Sequence, residues 1–123
     1  MTSHHAPADL AALGREWIAR WNSRELDRVL ALYADDFEMT SDIIQRLGFD
    51  LSGTLRGKDK VRAYWTKALT LAPDLHFELI DTYVSPDSVV VFYQNQRGKK
   101  ICEYLRLDAD GKIVQGSANH LPQ

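Results

Sequence analysis

Apolar positions follow a helical period in the first part of the chain. They recur three and four residues apart over 9–22, which predicts an amphipathic helix, and Ser23 is placed to cap a second helix that ends near 34–36. The same spacing returns over 58–72, where Pro73 would stop a third helix. The three apolar faces are Leu10, Leu13, Trp17, Ile18 and Trp21, then Leu26, Val29, Leu30 and Tyr33, then Val61, Trp65, Ala68, Leu69 and Ala72.

The period of the apolar positions changes to two after Pro73, and this spacing predicts a run of strands. Turn residues separate these strands, and Asp-Ala-Asp-Gly at 108–111 is a strong hairpin signal. Because the connections are short, we expect the strands to form an antiparallel meander. The four predicted strands cover residues 75–83, 88–96, 101–107 and 112–120.

Two interpretations fit the segment that precedes the third helix. Residues 37–42 alternate as a short strand. Residues 43–56 combine apolar side chains with glycines, and such a loop is often a lid or pocket wall. A short strand or a helical turn fits the same residues equally well. The predicted order is α-α-β-α-β-β-β-β, which is an α+β domain over 9–123 after a mobile tail over 1–8.

Composition narrows the range of functions. The 123 residues carry 15 Lys and Arg against 17 Asp and Glu, which argues against a nucleic-acid-binding face. One cysteine, Cys102, excludes an internal disulfide and a cysteine-based zinc site. No apolar run reaches the roughly 20 residues of a membrane span, and the first residues lack the pattern of a signal peptide. We therefore expect a cytoplasmic protein that binds neither nucleic acid nor membranes.

Glu103 carries the strongest chemical signal in the sequence. It shares a predicted strand face with Ile101, Leu105 and Leu107, so its carboxyl group would lie among apolar side chains. A carboxylate in such surroundings needs partners or stays protonated. We expect a pocket acid whose pKa is raised by desolvation; the alternatives are an edge position and a structural hydrogen bond.

His120 and Asp42 are the other candidates for acid/base chemistry. His120 ends a strand row that contains Gly116 and Ala118, and these small residues leave room for a cavity. A histidine there can act as an acid, a base or a hydrogen-bond donor. Asp42 ends the first predicted strand, where a carboxylate or histidine across a pocket would permit proton transfer. The alternatives are a partly exposed histidine and an aspartate that forms a turn.

Aromatic residues are plentiful on the predicted helices. Most of them are expected to form the core, and some to line an apolar pocket with a polar handle. No phosphate-binding glycine loop, nucleophile elbow or His-Glu-x-x-His motif is present, and no metal site is supported. The residues predicted to line the binding volume are Trp17, Tyr33, Met39, Tyr64, Trp65, Phe77 and Ala118.

Three segments carry a resemblance to a known group. They are Trp-Asn-Ser-Arg-Glu-Leu-Asp-Arg-Val-Leu-Ala-Leu-Tyr-Ala-Asp-Asp-Phe at 21–37, Leu-Arg-Gly-Lys-Asp-Lys-Val at 55–61 and Arg-Leu-Asp-Ala-Asp-Gly-Lys-Ile-Val at 106–114. In this order they resemble the SnoaL-like and ketosteroid-isomerase-like proteins of the nuclear transport factor 2-like superfamily. The resemblance implies a curved antiparallel sheet wrapped against three helices, a cone-shaped domain with an apolar pocket, and a homodimer that packs through the sheet.

The resemblance also implies roles for individual residues. Glu103 falls at the position of a strand acid that steroid isomerases keep protonated in their oxyanion hole. Trp17 stands where those enzymes have a helix tyrosine. Ser41 aligns with their proton-shuttling aspartate, and Asp42 is one residue further on, which on a strand means the other face. His120 matches a position that lines the pocket.

The sequence therefore predicts a small-molecule pocket protein. As an enzyme it would be an isomerase, cyclase or hydrolase that needs no cofactor and uses Glu103, His120 and Asp42 on an apolar substrate. The alternatives on this fold are a non-catalytic binding protein and a protein-interaction module. The apolar residues expected on the outer face of the sheet, where a homodimer would form, are Val90, Phe92, Cys102 and Tyr104.

Overall fold

Four helices and six strands occupy residues 4–122, the part of the chain that the computed structural model describes. The architecture is α+β, as predicted. The helices are α1 (Pro7–Ser23), α2 (Leu26–Leu30), α3 (Asp42–Arg46) and α4 (Lys58–Leu71). The strands are β1 (Tyr33–Thr40), β2 (Thr54–Arg56), β3 (Glu78–Ser85), β4 (Ser88–Gln94), β5 (Lys100–Leu107) and β6 (Ile113–His120).

The strands form one sheet in the order β2-β1-β6-β5-β4-β3. β3 to β6 make the antiparallel meander that their short connections predict. β1, however, pairs with β6 in parallel, with Thr40 opposite Ser117, and β2 pairs antiparallel with β1 at the edge. The expectation of a wholly antiparallel sheet was therefore wrong. A parallel pair needs a long connection, and here most of the chain lies between β1 and β6.

The second helix is shorter than its apolar pattern predicts, because Tyr33 already belongs to β1. The pairing of β1 with β6 shifts register between Tyr33 and Glu38. Tyr33 and Phe37, four residues apart, both point into the core, as residues an even number apart on a strand do. Four residues is also the spacing of a helix face, so the pattern alone could not separate the two.

Residues 43–56 contain a short helix and a short strand, joined by turns over 47–53. They contribute most of α3 and all of β2, so the alternative interpretation of a helical turn and a short strand is confirmed. Ser41 caps α3, since its Oγ accepts a hydrogen bond from the Ile43 N–H at 3.1 Å. Asp42 is therefore the first residue of a helix and not the last residue of a strand. The observed order has one more helix and one more strand than expected.

α1 begins at Pro7, inside the stretch expected to be a mobile tail. The residue two positions earlier is also tied to the domain. The His5 N–H donates to the Pro86 carbonyl at 2.8 Å, and His5 Nε2 lies 2.8 Å from the carbonyl of Asp108. Residues 1–3 of the predicted tail lie outside the described residues. No helix within 4–122 is long and apolar enough to cross a membrane.

Gly14 brings α1 close to the meander. A Cβ at this position would lie 2.8 Å from Thr82 Cγ2 and 3.4 Å from Val91 Cγ2, so only glycine fits without rearrangement. One turn further along α1, this approach places Trp17 in the core beneath the inner face of the sheet. The same face carries Glu103, and the candidate site is built around it.

Candidate acid/base site

Glu103 lies at the centre of the inner sheet face. It sits on β5 opposite Val91 of β4 and Ala118 of β6, and 3% of its surface is exposed. Its carboxylate oxygen Oε1 accepts one hydrogen bond, from the Tyr93 hydroxyl at 3.4 Å. Within the described chain no cationic side chain pairs with it. Burial raises the pKa of Glu103 to about 8, against a small lowering by Tyr93, so the carboxyl is mainly protonated at neutral pH.

Three buried tyrosines surround this acid. They reach it from three elements: Tyr33 from β1, Tyr64 from α4 and Tyr93 from β4. Burial raises the pKa of Tyr64 to about 12 and raises the pKa of Tyr33 and of Tyr93 well above the ordinary value for a phenol. The charge of ionised Glu103 raises the pKa of each phenol as well, so the four groups lie close together in the core. All three phenols are thus neutral hydrogen-bond donors.

Trp17 is linked to this group of buried side chains by a hydrogen bond to Tyr33. Its indole Nε1–H donates to the Tyr33 hydroxyl oxygen at 2.9 Å, and both side chains are buried. This bond occupies the only donor of the indole, whereas the phenolic O–H of Tyr33 remains free to donate. Tyr33 therefore brings a phenolic donor next to Trp17.

Asp42 and His120 meet at one edge of the sheet. Because β1 and β6 run parallel, their carboxyl ends open at the same edge, just before α3. Asp42 Oδ1 lies 2.9 Å from His120 Nδ1, and Asp42 Oδ2 accepts a hydrogen bond from Arg46 Nη2 at 3.0 Å. The Asp42 oxygen lies off the line of an Nδ1–H bond, so the two side chains are in close contact without an aligned hydrogen bond. His120 is mostly buried and Asp42 is half-exposed.

Ser41 and Asp42 face opposite ways, as neighbouring residues at a strand end should. Ser41 is buried and its hydroxyl lies close enough to the Tyr64 phenol to lower the pKa of that phenol, so the position that matches the family's aspartate holds a serine that points inward. Asp42 turns outward to His120. The structure therefore brings two of the three predicted acid/base residues into contact and leaves Glu103 deeper in the fold.

An open cleft of about 440 Å³ adjoins these residues. Ser41, Asp42 and Arg46 line one side, and Ala118 and His120 line the other. Ala118 is the cross-strand partner of Glu103, so the cleft reaches the strand rung that carries the buried acid. A second open cleft, of about 420 Å³, lies against α1. Neither borders Trp17 or Glu103, so an interior pocket between these two residues stays a prediction.

The other predicted lining residues pack around the acid or beside it. Phe77 contacts both Trp17 and Tyr93, with ring centroids 5.8 and 4.4 Å apart. Trp65 packs edge-on against Tyr33 at 5.3 Å. Met39 is buried on β1 opposite Gly116. No group of three or more His, Cys, Asp or Glu side chains in residues 4–122 is arranged to hold a metal ion.

Tyr93 is the site residue that sequence reasoning missed. It alternates with Val89 and Val91 on β4, and all three are buried. β4 and β5 are joined by a short turn, so the inner row of β4 had to face the row that contains Glu103. That pairing was available as a signal, and it predicts a donor beside the acid.

Comparison with known proteins agrees with this architecture. The SnoaL-like domain matches residues 14–116. A SnoaL-like protein of unknown function from Burkholderia thailandensis is 39% identical, with 97% of this chain and 99% of that chain covered and a TM-score of 0.91. A search of curated proteins found no match.

More distant structures share the fold. A putative hydroxylase from Streptomyces galilaeus is 19% identical over 94% of this chain and 91% of that chain, with a TM-score of 0.74. A putative polyketide cyclase from Sinorhizobium meliloti is 14% identical over 94% and 100%, with a TM-score of 0.72. The family match over residues 14–116 and the relative that is 39% identical show that the chain belongs to the SnoaL-like family.

Proposed function

We propose that this protein binds a small apolar molecule and performs acid/base chemistry on it without a cofactor. One observation carries the proposal: Glu103 is a buried carboxyl with a pKa of about 8 and no cationic partner in the described chain. A carboxyl in such a place lowers the stability of the fold at neutral pH, and perturbed groups of this kind cluster at functional sites.

The proposed roles follow from protonation and position. Protonated Glu103 can donate a hydrogen bond or a proton to a substrate oxygen, supported by the neutral phenols around it. Asp42 Oδ1 lies 2.9 Å from His120 Nδ1 beside the adjoining cleft, where the imidazole can accept or return a proton. Ala118, whose side chain is small, is the cross-strand partner of Glu103 and also lines this cleft. The reaction class that fits is proton transfer on a carbonyl compound.

Hydrogen exchange on small ketones tests this proposal. A panel of apolar ketones is incubated in D2O with the protein, and proton NMR follows the loss of hydrogen next to the carbonyl. We expect exchange faster than in buffer, and a loss of this rate in Glu103→Gln and His120→Gln. Glu78→Gln is the matched control, because Glu78 is an exposed glutamate on β3. Buffer rates for every ketone would favour the non-catalytic binding protein.

A second candidate function is supported by the outer face of the sheet. Tyr83, Val90 and Tyr104 are cross-strand neighbours on β3, β4 and β5, and Tyr83 is 59% exposed. Phe92 and the exposed Cys102 form the next rung. An apolar face of this extent favours a protein partner, and we propose a second copy of the chain, packed sheet to sheet.

Light scattering at micromolar concentration tests the homodimer. We expect twice the mass of the 14.0 kDa chain, and a single-chain mass for Phe92→Asp. Thr70→Asp is the control, because it adds the same charge on the exposed side of α4. A single-chain mass for the unchanged protein would contradict the proposal.

A further inference from the structure

The segment between α4 and β3, residues 72–77, closes one side of the interior that holds Glu103. Its last residue, Phe77, is half-buried. The Phe77 ring stacks on Trp17 with an interplanar angle of 17° and lies 4.4 Å from the Tyr93 ring. Tyr93 donates the hydrogen bond to Glu103. Phe77 therefore covers the one residue that contacts the buried carboxyl through a hydrogen bond.

A side chain, rather than the sheet, fixes the backbone of Phe77. β3 begins one residue later, at Glu78, so Phe77 has no partner in the β-ladder. Asn22 Nδ2 donates to the Phe77 carbonyl at 2.9 Å, and the Phe77 N–H donates to Asn22 Oδ1 at 2.7 Å. This reciprocal pair, which we call the Asn22 clasp, satisfies both backbone groups from the end of α1.

The other residues around the acid are held by regular backbone structure. Trp17 and Tyr64 lie within helices, and Tyr33 and Ala118 lie within paired strands. Their positions are fixed by helical or ladder hydrogen bonds. Arg24 holds the carbonyl of Leu75, two residues earlier. The backbone N–H and carbonyl of Phe77 itself are held by one amide side chain, so a single substitution removes both of these hydrogen bonds.

We propose that Asn22 is a positioning residue for the acid: by clasping Phe77, it holds the ring against Tyr93 and keeps water away from Glu103. The inference deepens the proposed function and rests on it in one respect, that Glu103 is the working acid. Without the clasp, Phe77 can withdraw, water can reach the carboxyl, and hydration favours its ionised form.

Carboxyl-selective carbon NMR of Asn22→Ala tests this directly. The titratable groups that face Glu103 are the phenols of Tyr33, Tyr64 and Tyr93, which stay neutral over the range of interest. We expect the pKa of Glu103 to fall by about one unit or more towards its ordinary value. Asn22→Asp keeps the acceptor for the Phe77 N–H and loses the donor, so a smaller fall is expected.

Asn119→Ala is the matched control. The Asn119 amide also donates to a backbone carbonyl, that of Cys102 at 3.1 Å, and the residue is exposed. Its loss should leave the pKa of Glu103 unchanged. Should Asn22→Ala fail to fold, Phe77→Leu removes the covering ring while it keeps an apolar side chain, and the same fall in pKa is expected.

Two outcomes separate this inference from the proposed function. A pKa of Glu103 that is raised in the unchanged protein and equally raised in folded Asn22→Ala and Phe77→Leu overturns the positioning role alone. An ordinary pKa in the unchanged protein overturns the proposed function, because the interior acid would then be a common ionised carboxylate.

Discussion

Replacement of Glu103 by glutamine should change how stability depends on pH. Burial raises the pKa of Glu103 from 4.5 to about 8, so between these values the folded state binds more protons than the unfolded state. The contribution of Glu103 to the free energy of unfolding is therefore most favourable below pH 4.5, and it becomes less favourable as the pH rises towards 8. Glutamine keeps the shape of the side chain and removes the titration.

The size of the effect follows from the shift. One pKa unit corresponds to 1.36 kcal/mol, so the buried carboxyl costs about 5 kcal/mol above pH 8 and about 3 kcal/mol at pH 7. A domain of this kind has a free energy of unfolding of roughly 5–15 kcal/mol, so the cost is a large share of it. A buried glutamine amide has its own desolvation cost, but that cost does not change with pH.

Urea denaturation followed by circular dichroism between pH 4 and pH 9 measures the effect. The free energy of unfolding of Glu103→Gln, minus that of the unchanged protein, should rise by several kcal/mol across this range. At neutral pH the variant should be as stable as the unchanged protein or more stable. Glu78→Gln, on the exposed side of β3, should show no such rise.

If the difference in the free energy of unfolding between Glu103→Gln and the unchanged protein does not change with pH, the pKa of Glu103 is not raised. A loss of several kcal/mol in Glu103→Gln at neutral pH, which is the scale of breaking a buried ion pair, would also contradict a raised pKa. Either result would make Glu103 an ionised structural residue. Glu103→Leu gives a further check, since no buried cation in the described chain depends on the carboxyl group and the fold should tolerate the change.

Two further substitutions test the supports of the site by urea denaturation. Trp17→Phe removes the hydrogen bond to Tyr33 and should cost about 1 kcal/mol more than Trp21→Phe, because the buried Trp21 Nε1–H has no partner within residues 4–122 and so no hydrogen bond to lose. Equal losses would contradict a role for the Trp17–Tyr33 bond. Ser41→Ala removes the cap of α3 and should lower the free energy of unfolding by about 1 kcal/mol. Ser117→Ala, on the neighbouring strand, should lower it less. If Ser41→Ala leaves the free energy of unfolding unchanged, the cap does not stabilise α3.

The inward position of Glu103 could be predicted because it depends only on residues close to it in sequence. Strict alternation with Ile101, Leu105 and Leu107 sets its face, and short turns set its neighbours on β4 and β6. The long helices α1 and α4 were predictable for the same reason, since their apolar stripes and end signals lie within the elements. The pattern of apolar residues therefore predicted the features that depend on residues close in sequence.

The contact between Asp42 and His120 depends on the parallel pairing of β1 with β6, and no local pattern encodes that pairing. The same holds for the Asn22 clasp, whose two residues are 55 positions apart. Tyr33 was misplaced because its spacing of four residues, from Val29 in α2 and to Phe37 in β1, fits one face of a helix and one face of a strand. Long-range geometry therefore decided which candidate residues meet.

The proposed function depends on Glu103 being a protonated acid in the core, and its pKa in the unchanged protein measures this. Carbon labelling of glutamate side chains, with assignment from the Glu103→Gln spectrum, lets NMR follow this carboxyl from pH 3 to pH 10. We predict a midpoint near 8, set by burial among neutral phenols. A midpoint near 4.5, the ordinary value for glutamate, would show that water or an unseen cation stabilises the ionised form and would contradict the account.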